Sequence, residues 1–375
     1  MFPEKLHKKL KNRIETDSLR SLSITNTLID FSSNDYLGLA LSESIFNEAH
    51  QFLIESNFIK NGVSGSRLLT GNHQLNAIVE KYLKGVHKSE ALLFNSGYAA
   101  NIGFFSAVPQ RNDIILYDEF SHASIRDGIK LSNAKAYSFA HNDLYDLEEK
   151  LIRFKNAEEL YIVTESVFSM DGDSPDLKRL IELSKKYNAK VIADEAHALG
   201  VFGFGIIQNL GLQNEVFARI ITFGKSLGCH GAAILGNALL KSYLINFSRS
   251  FIYTTGLSPH SLATILNAYK FMQTNSSLQK KLEQNINYFK EKYIDLGLNG
   301  IFIESNSAIH CCVISGNSNV KKCAKALQEK GFDVRPILSP TVPLGEERLR
   351  FCIHSYNTFQ EIDKVLKLLS TFVNN

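Results

Sequence analysis

No stretch of the 375-residue chain comes near the roughly 20 consecutive apolar residues that a membrane-spanning helix needs. An excess of charge of one sign is nearly absent as well. The formal net charge is +3, too small a bias to point to nucleic acid or a membrane surface as a partner. Cysteine is sparse: Cys229, Cys311, Cys312, Cys323 and Cys352 include no C-x-x-C pair and are odd in number. They read as buried, reduced thiols of a cytoplasmic protein, and no metal site is expected. No secretory leader is expected either, because residues 1–20 are charged throughout and hold no apolar h-region. Leu6, Leu10 and Ile14 fall instead on one face of a short amphipathic helix. Internal repeats and low-complexity segments are also lacking.

What is there is the balance of a globular protein, with 44% hydrophobic and 21% charged residues. The length suits one large domain and a smaller companion. Apolar runs at Ala91–Phe94, Ile114–Tyr117, Leu160–Thr164, Val191–Ala193, Ile220–Phe223 and Ala232–Leu235 read as buried strands. Helical patterns at Leu144–Phe154 and Leu177–Tyr187 lie between some of them. Short apolar strands with helical crossovers predict an α/β fold with a mainly parallel sheet covered on both faces. From about Ser258 the texture changes to a long helical stretch through Tyr269 and Phe271, a second around Leu282–Tyr293, and short strands near Ile309–Ile314 and Leu349–Ile353. The expected division is an N-terminal segment 1–40, a large domain 41–257 and a smaller C-terminal α+β domain 258–375.

In parallel sheets ligands gather where the strands end at their carboxyl edge. The polar residues after each apolar run are Asn95-Ser96-Gly97-Tyr98, Asp118, Glu165-Ser166, Asp194-Glu195-Ala196-His197 and Gly224-Lys225-Ser226. Two of these strings mimic an NTPase: Asp194 to His197 spells DEAH, and Gly224-Lys225-Ser226 resembles a P-loop end. Spacing rejects that reading, because a P-loop needs glycine five residues before Gly224 and that position is Arg219.

An aldehyde cofactor carrying a phosphate asks for other things: a lysine, an acid for a ring nitrogen, amide donors for the phosphate and a flat side chain for the ring. Lys225 ends an apolar strand, where lost solvation favours its neutral, nucleophilic form. A lone lysine there reads more readily as an exposed loop residue, but Gly224 and Thr222 beside it favour a shaped site. Asp194 ends Val191-Ile192-Ala193 and would pair with a pyridinium or, equally, with a structural cation. His197 reads as a donor to the ring's phenolic oxygen or as a satisfied core histidine. Ser96 to Asn101 opens a helix whose free amides suit a phosphate, or is an ordinary glycine turn. In Ser121-His122-Ala123-Ser124, His122 could stack on a ring, or Ser121 could simply cap a helix.

The order of these residues resembles the fold-type I pyridoxal 5′-phosphate (PLP) enzymes, aspartate aminotransferase-like transferases. More narrowly it resembles the α-oxoamine synthases, which join an amino acid to an acyl-CoA with loss of carbon dioxide. The matching strings cover most of the chain: Asn34-Asp35-Tyr36-Leu37-Gly38, Gly65-Ser66-Arg67, Ser121 to Ser124, Glu165-Ser166-Val167-Phe168-Ser169-Met170-Asp171-Gly172-Asp173, Asp194 to His197, Thr222-Phe223-Gly224-Lys225 and Pro340-Thr341-Val342-Pro343. The resemblance implies that Lys225 bears the imine and later acts as base. It implies that Asp194 pairs with the pyridine nitrogen, that His197 and Ser169 contact PLP, and that His122 lies on its face and on the substrate. Amides of Gly97 and Tyr98, with Thr222, would hold the phosphate, and Thr255 would reach the phosphate of a neighbouring subunit in a homodimer with shared sites. Arg350 would bind the amino-acid carboxylate, and Arg20, Asn34 and Thr341 would contact substrate, with Arg13 competing for the role of Arg20.

Gly228-Cys229-His230-Gly231-Ala232-Ala233 and Phe251-Ile252-Tyr253-Thr254-Thr255 resemble the branch that condenses L-alanine with pimeloyl-CoA, or a pimeloyl carrier protein, in biotin synthesis. One departure stands out. Some members carry arginine two residues before Pro340, where this chain has Leu338, with Arg335 three residues earlier; the acyl chain is therefore open. The competing expectations are a relative using glycine or serine, the same fold with transaminase or eliminase chemistry, and a PLP-binding protein without catalysis.

Overall fold

The computed structural model describes residues 2–20, 22 and 27–373. The chain forms two compact units: Asn34–Ser169 with Ser174–Lys280, and Met1–Ser33 with Met170–Asp173 and Lys281–Asn375.

The larger unit is built on seven strands: β1 (Glu90–Phe94), β2 (Ile114–Asp118), β3 (Lys135–Phe139), β4 (Leu160–Glu165), β5 (Lys190–Asp194), β6 (Ala218–Thr222) and β7 (Ala232–Gly236). Their order across the sheet is β1-β7-β6-β5-β4-β2-β3. Only β7 runs against the others, pairing antiparallel with both β1 and β6. Why the strands form is visible in their side chains. Ile115, Tyr161, Val163 and Ile192 pack into a cluster with Phe104 and Phe105 on one face. Their immediate neighbours Ile114, Leu116, Leu160, Ile162, Val191 and Ala193 pack with Leu147, Leu180 and Ile181 on the other. Successive residues point to opposite faces, so a sheet buried on both sides reads as a continuous apolar run. Edge strand β3, Lys-Ala-Tyr-Ser-Phe, is mostly half-exposed and carries no such run.

The helix Pro259–Thr274, which the change of texture assigned to the smaller domain, groups with the larger unit. Leu262, Leu266 and Tyr269 are among its buried residues, and it packs on the helices Glu43–Glu55 and Gln74–His87.

The smaller unit holds an antiparallel sheet of β8 (Ile309–Val313), β9 (Arg335–Ile337) and β10 (Arg348–Cys352), with β10 in the centre. The helices Asn317–Glu329 and Phe359–Val373 bury Val320 and Leu327, and Ile362 and Leu366. Phe31 lies 6.1 Å from Phe332 and 6.4 Å from Phe351 between ring centroids. Ile29–Asp30 pairs in parallel with Phe332–Asp333. Those contacts tie the N-terminal segment to the C-terminal one. The helix Glu4–Glu15 does form, with Leu6, Leu10 and Ile14 all exposed. No helix among the described residues is long and apolar enough to cross a membrane.

Candidate active site

The carboxyl edge of the large sheet gathers its polar side chains into two hydrogen-bonded chains. The first begins at Asn34. Its Oδ1 accepts from the hydroxyl of Tyr36 at 3.0 Å, and the Tyr36 hydroxyl lies 2.7 Å from Nδ1 of His197. Nε2 of His197 lies 2.6 Å from Nζ of Lys225. Tyr36 is fully buried and His197 nearly so, so the lysine end of the chain is fixed from behind.

The second chain ends at Asp194. Asn101 donates from Nδ2 to Oδ2 of Asp194 at 2.9 Å and to the Ser124 hydroxyl at 3.0 Å. That hydroxyl lies 2.7 Å from Nδ1 of His122. The amide of Ala196 donates to the other carboxylate oxygen of Asp194 at 2.8 Å. Buried charge must be hydrogen-bonded, and Asp194 is satisfied here by neutral donors.

Beside it, Glu165 stands opposite Asp194 in the β4–β5 register and accepts the amide of His122 at 2.6 Å. Burial, and then the Asp194 carboxylate, push the Glu165 pKa up to about 8. At neutral pH Glu165 is therefore mostly protonated, and the paired strand ends hold one negative charge rather than two. His122 is exposed. The packed surroundings push its pKa down from the usual histidine value.

The helix Gly97–Phe105 follows β1, and the Ser96 hydroxyl caps it by accepting from the amide of Ala99 at 3.1 Å. Its free first-turn amides include those of Gly97 and Tyr98. A side chain added at Gly97 would meet Cβ of Thr222 at 3.6 Å, so the helix start and Thr222 lie side by side. Thr255 is exposed, and its carbonyl accepts from Asn95 at 2.7 Å. Ser169 lies half-buried past the end of β4. At the His122 helix the cap is His122 itself, whose Nδ1 accepts from the amide of Ser124 at 3.2 Å; Ser121 does not cap.

The remaining sequence-derived positions belong to the smaller unit. Nη2 of Arg20 donates to the Thr341 hydroxyl at 3.4 Å, which joins two of the expected substrate contacts; Arg13 lies in the helix Glu4–Glu15. Arg350 is buried in β10 and reaches Sγ of Cys352 at 3.0 Å. Arg335 is held by Asp333, Nε to Oδ1 at 2.8 Å.

The DEAH string also finds its explanation. Glu195 forms a buried ion pair with Arg219, Nε to Oε2 at 2.5 Å. Burial raises the thiol pKa of Cys229 and of Cys311 to about 12, which fits unreactive, reduced cysteines.

Residue reasoning missed Tyr36, Asn101 and Ser124. Each lay inside a quoted string, but its role depends on contacts such as the 161-residue separation of Tyr36 from His197, which no local pattern reports.

The chain matches the model of the aminotransferase class I and II family over residues 26–369. It belongs to that family, in its α-oxoamine synthase branch. An 8-amino-7-oxononanoate synthase from Emericella nidulans is 37% identical over 393 residues, covering 99% of this chain and 95% of the relative. Among solved structures, the family is represented by an 8-amino-7-oxononanoate synthase from Francisella tularensis. It has a TM-score of 0.79 and 28% identity, covering 93% of this chain and 99% of that one. A serine palmitoyltransferase from S. paucimobilis, solved with PLP and myriocin bound, has a TM-score of 0.90 at 25% identity, covering 99% and 97%.

Proposed function

We propose that this PLP-dependent acyltransferase condenses L-alanine with pimeloyl-CoA, or with a pimeloyl carrier protein, releasing carbon dioxide and the free thiol and forming 8-amino-7-oxononanoate for biotin synthesis. The observation that carries the reading is the convergence of Lys225, His197, Asp194 and His122 on one sheet edge, in a chain 37% identical to a relative of that name.

The donor set fits PLP. A lysine at a strand end, a carboxylate held by neutral donors and a capped helix N-terminus facing a threonine are what an aldehyde, a ring nitrogen and a phosphate require. When bound, PLP supplies an aldehyde carbon that captures amines and a protonated ring that withdraws electrons from the amino-acid Cα.

In this reading Lys225 would hold the cofactor and would take and later return the proton at the amino-acid Cα. His197, steadied by Tyr36, orients the Lys225 amine and donates toward the ring oxygen. Asp194 keeps the ring nitrogen protonated, and the neutral Glu165 leaves it as the single counter-charge. His122 covers the ring face, and Ser169 completes the contacts. The Gly97 and Tyr98 amides and Thr222 bind the phosphate, and Thr255 serves the site of a second copy in a homodimer. Arg350 would take the amino-acid carboxylate, while Arg20, Thr341 and Asn34 would contact substrate. The division of the chain into a PLP-binding domain and a smaller C-terminal domain belongs to the same proposal, as does a cytoplasmic location.

A second reading, serine with a long-chain acyl-CoA, draws on the TM-score of 0.90 to the serine palmitoyltransferase, and on Leu338 in place of an arginine. The test is a matrix of L-alanine, glycine and L-serine against pimeloyl-CoA, acetyl-CoA and palmitoyl-CoA. Thiol release and product mass are the readouts. Alanine with pimeloyl-CoA, or with pimeloyl carrier protein in a parallel reaction, should turn over fastest. Preferred turnover of serine with palmitoyl-CoA, or of glycine with acetyl-CoA, would replace the proposal with that alternative.

A further inference from the structure

Behind the candidate site lies a charged cluster with no part in the mechanism above. Glu195 directly follows Asp194, and its amide still donates to the carbonyl of Ile220 at 2.8 Å, so it continues the β5–β6 pairing. Neighbouring strand residues point to opposite faces. Asp194 meets Asn101, whereas Glu195 meets Arg219 in β6. Both members of the pair are essentially inaccessible to solvent, at 0% for Glu195 and 1% for Arg219.

Every polar end of the pair is met. Oε1 of Glu195 accepts the amide of Ile207 at 2.9 Å. Nη2 of Arg219 donates to the carbonyl of Phe204 at 2.7 Å, and Nη1 reaches Oε1 of Gln208 at 3.4 Å. The same Gln208 oxygen lies 3.1 Å from Nδ1 of His87, whose Nε2 lies 2.9 Å from the Tyr269 hydroxyl. Burial and the Arg219 charge lower the His87 pKa to about 3, so His87 is neutral and the cluster carries one cation and one anion. Gly205, at φ +111°, packs directly on the pair: a Cβ there would lie 2.5 Å from Oε2 of Glu195.

The cluster touches both segments that carry the candidate chemistry. Glu195 is adjacent to Asp194 in sequence. The Tyr269 ring meets Phe223 edge-on at 5.9 Å, two residues before Lys225. A buried ion pair adds little stability over well-packed apolar residues, so stability is a weak reason for one here. Its charge balance matters more. A surplus unit charge about 10 Å away, at an effective dielectric constant of about 20, moves a titration by about one pH unit.

We propose that Glu195 and Arg219 are positioning residues that set the proton affinity at the Lys225–cofactor linkage, by holding a net-neutral pair behind Asp194 and Lys225. The inference rests on the PLP reading above. Arginine stays charged in any protein environment. Glu195→Gln therefore leaves a defined surplus cation, which opposes a proton at the Lys225 nitrogen. Arg219→Met leaves a buried carboxylate without its cation, which takes up a proton as Glu165 does, so that variant carries no surplus charge.

The test is a pH titration of the visible absorption of the PLP-loaded wild type, E195Q, R219M and the double variant E195Q/R219M, with thermal melts to establish folding. The midpoint should fall by about one pH unit in E195Q and stay near the wild-type value in R219M and in the double variant. A folded E195Q with the wild-type midpoint overturns the proposal. So does a double variant that stays shifted, which would mean that the pair acts only through structure. If E195Q fails to fold, E195A decides, because it leaves the same surplus cation. A wild type with no PLP absorption band would instead remove the functional reading on which the inference stands.

Discussion

Two buried carboxylate sites, one in each unit, hold their charge in different ways. In the smaller unit Asp171 is met by the guanidinium of Arg348, and both are almost fully buried. At the carboxyl edge of the large sheet, Asp194 is met by the amides of Asn101 and Ala196, and Glu165 by the amide of His122. For Asp171 the chain supplies the opposite charge itself. At the candidate site it supplies dipoles and burial, which hold a charge in place and leave it to be matched by a bound group. The same contrast recurs one residue apart, between Asp194 and the Arg219-paired Glu195.

The largest effect expected from this contrast is at Lys225. Lys225→Ala should lower turnover by on the order of 10³-fold or more and abolish the visible band of the loaded protein. Its urea midpoint should stay near that of the wild type, because no fold-determining ion pair is lost. Residual full activity would remove Lys225 from the mechanism. Asp194→Asn should cost on the order of 10²–10³-fold in kcat. Its stability should hold or rise, since the substitution removes the negative charge that helps push up the Glu165 pKa. Steady-state kinetics and urea unfolding of one preparation check both halves.

Arg348→Ala reverses the pattern. It leaves Asp171 buried without its cation, at a cost of about 3–5 kcal/mol, and the double change Arg348→Met with Asp171→Leu should recover most of that. If Asp194→Asn destabilises the protein as much as Arg348→Ala, the division between matched and waiting charges is wrong.

How much of this was legible follows from which contacts are local. The inner strands were legible because a sheet buried on both faces has to be apolar at every position, and the site followed because Lys225 and Asp194 are polar residues that end such runs. Edge strand β3 escaped because only Phe139 of its five residues is buried. The reversed direction of β7 escaped because an apolar run carries no sense. The helix Pro259–Thr274 was assigned to the smaller domain because composition changes there, whereas its grouping with the large unit depends on packing against the distant helix Glu43–Glu55. Arg219 ruled out a P-loop by its identity, yet its partnership with Glu195 appears only once β5 and β6 are side by side.

The smallest effect concerns pH, and it again divides the two units. His87 of the large unit and His310 of the small one are both held neutral by burial, each with its pKa lowered to about 3. His310 packs 4.9 Å from Phe289 between ring centroids. Below an unfolded-state value of about 6.5 the unfolded chain binds protons that the folded chain refuses, so stability falls as pH drops from about 6.5 toward 3. At pH 5 each histidine then costs about 2 kcal/mol relative to neutral pH. Glu165 acts in the opposite sense. Its raised pKa means that its contribution is fully present below about 4.5 and is lost as pH rises through about 8. Urea midpoints measured from pH 5 to 8 should fall on the acid side as the unfolded chain takes up these protons. His310→Phe should make the acid limb shallower, by about 2 kcal/mol at pH 5. An acid limb unchanged in that variant would mean that the buried ring of the smaller unit already finds a proton, and that its charge, like that of Asp171, is matched from within.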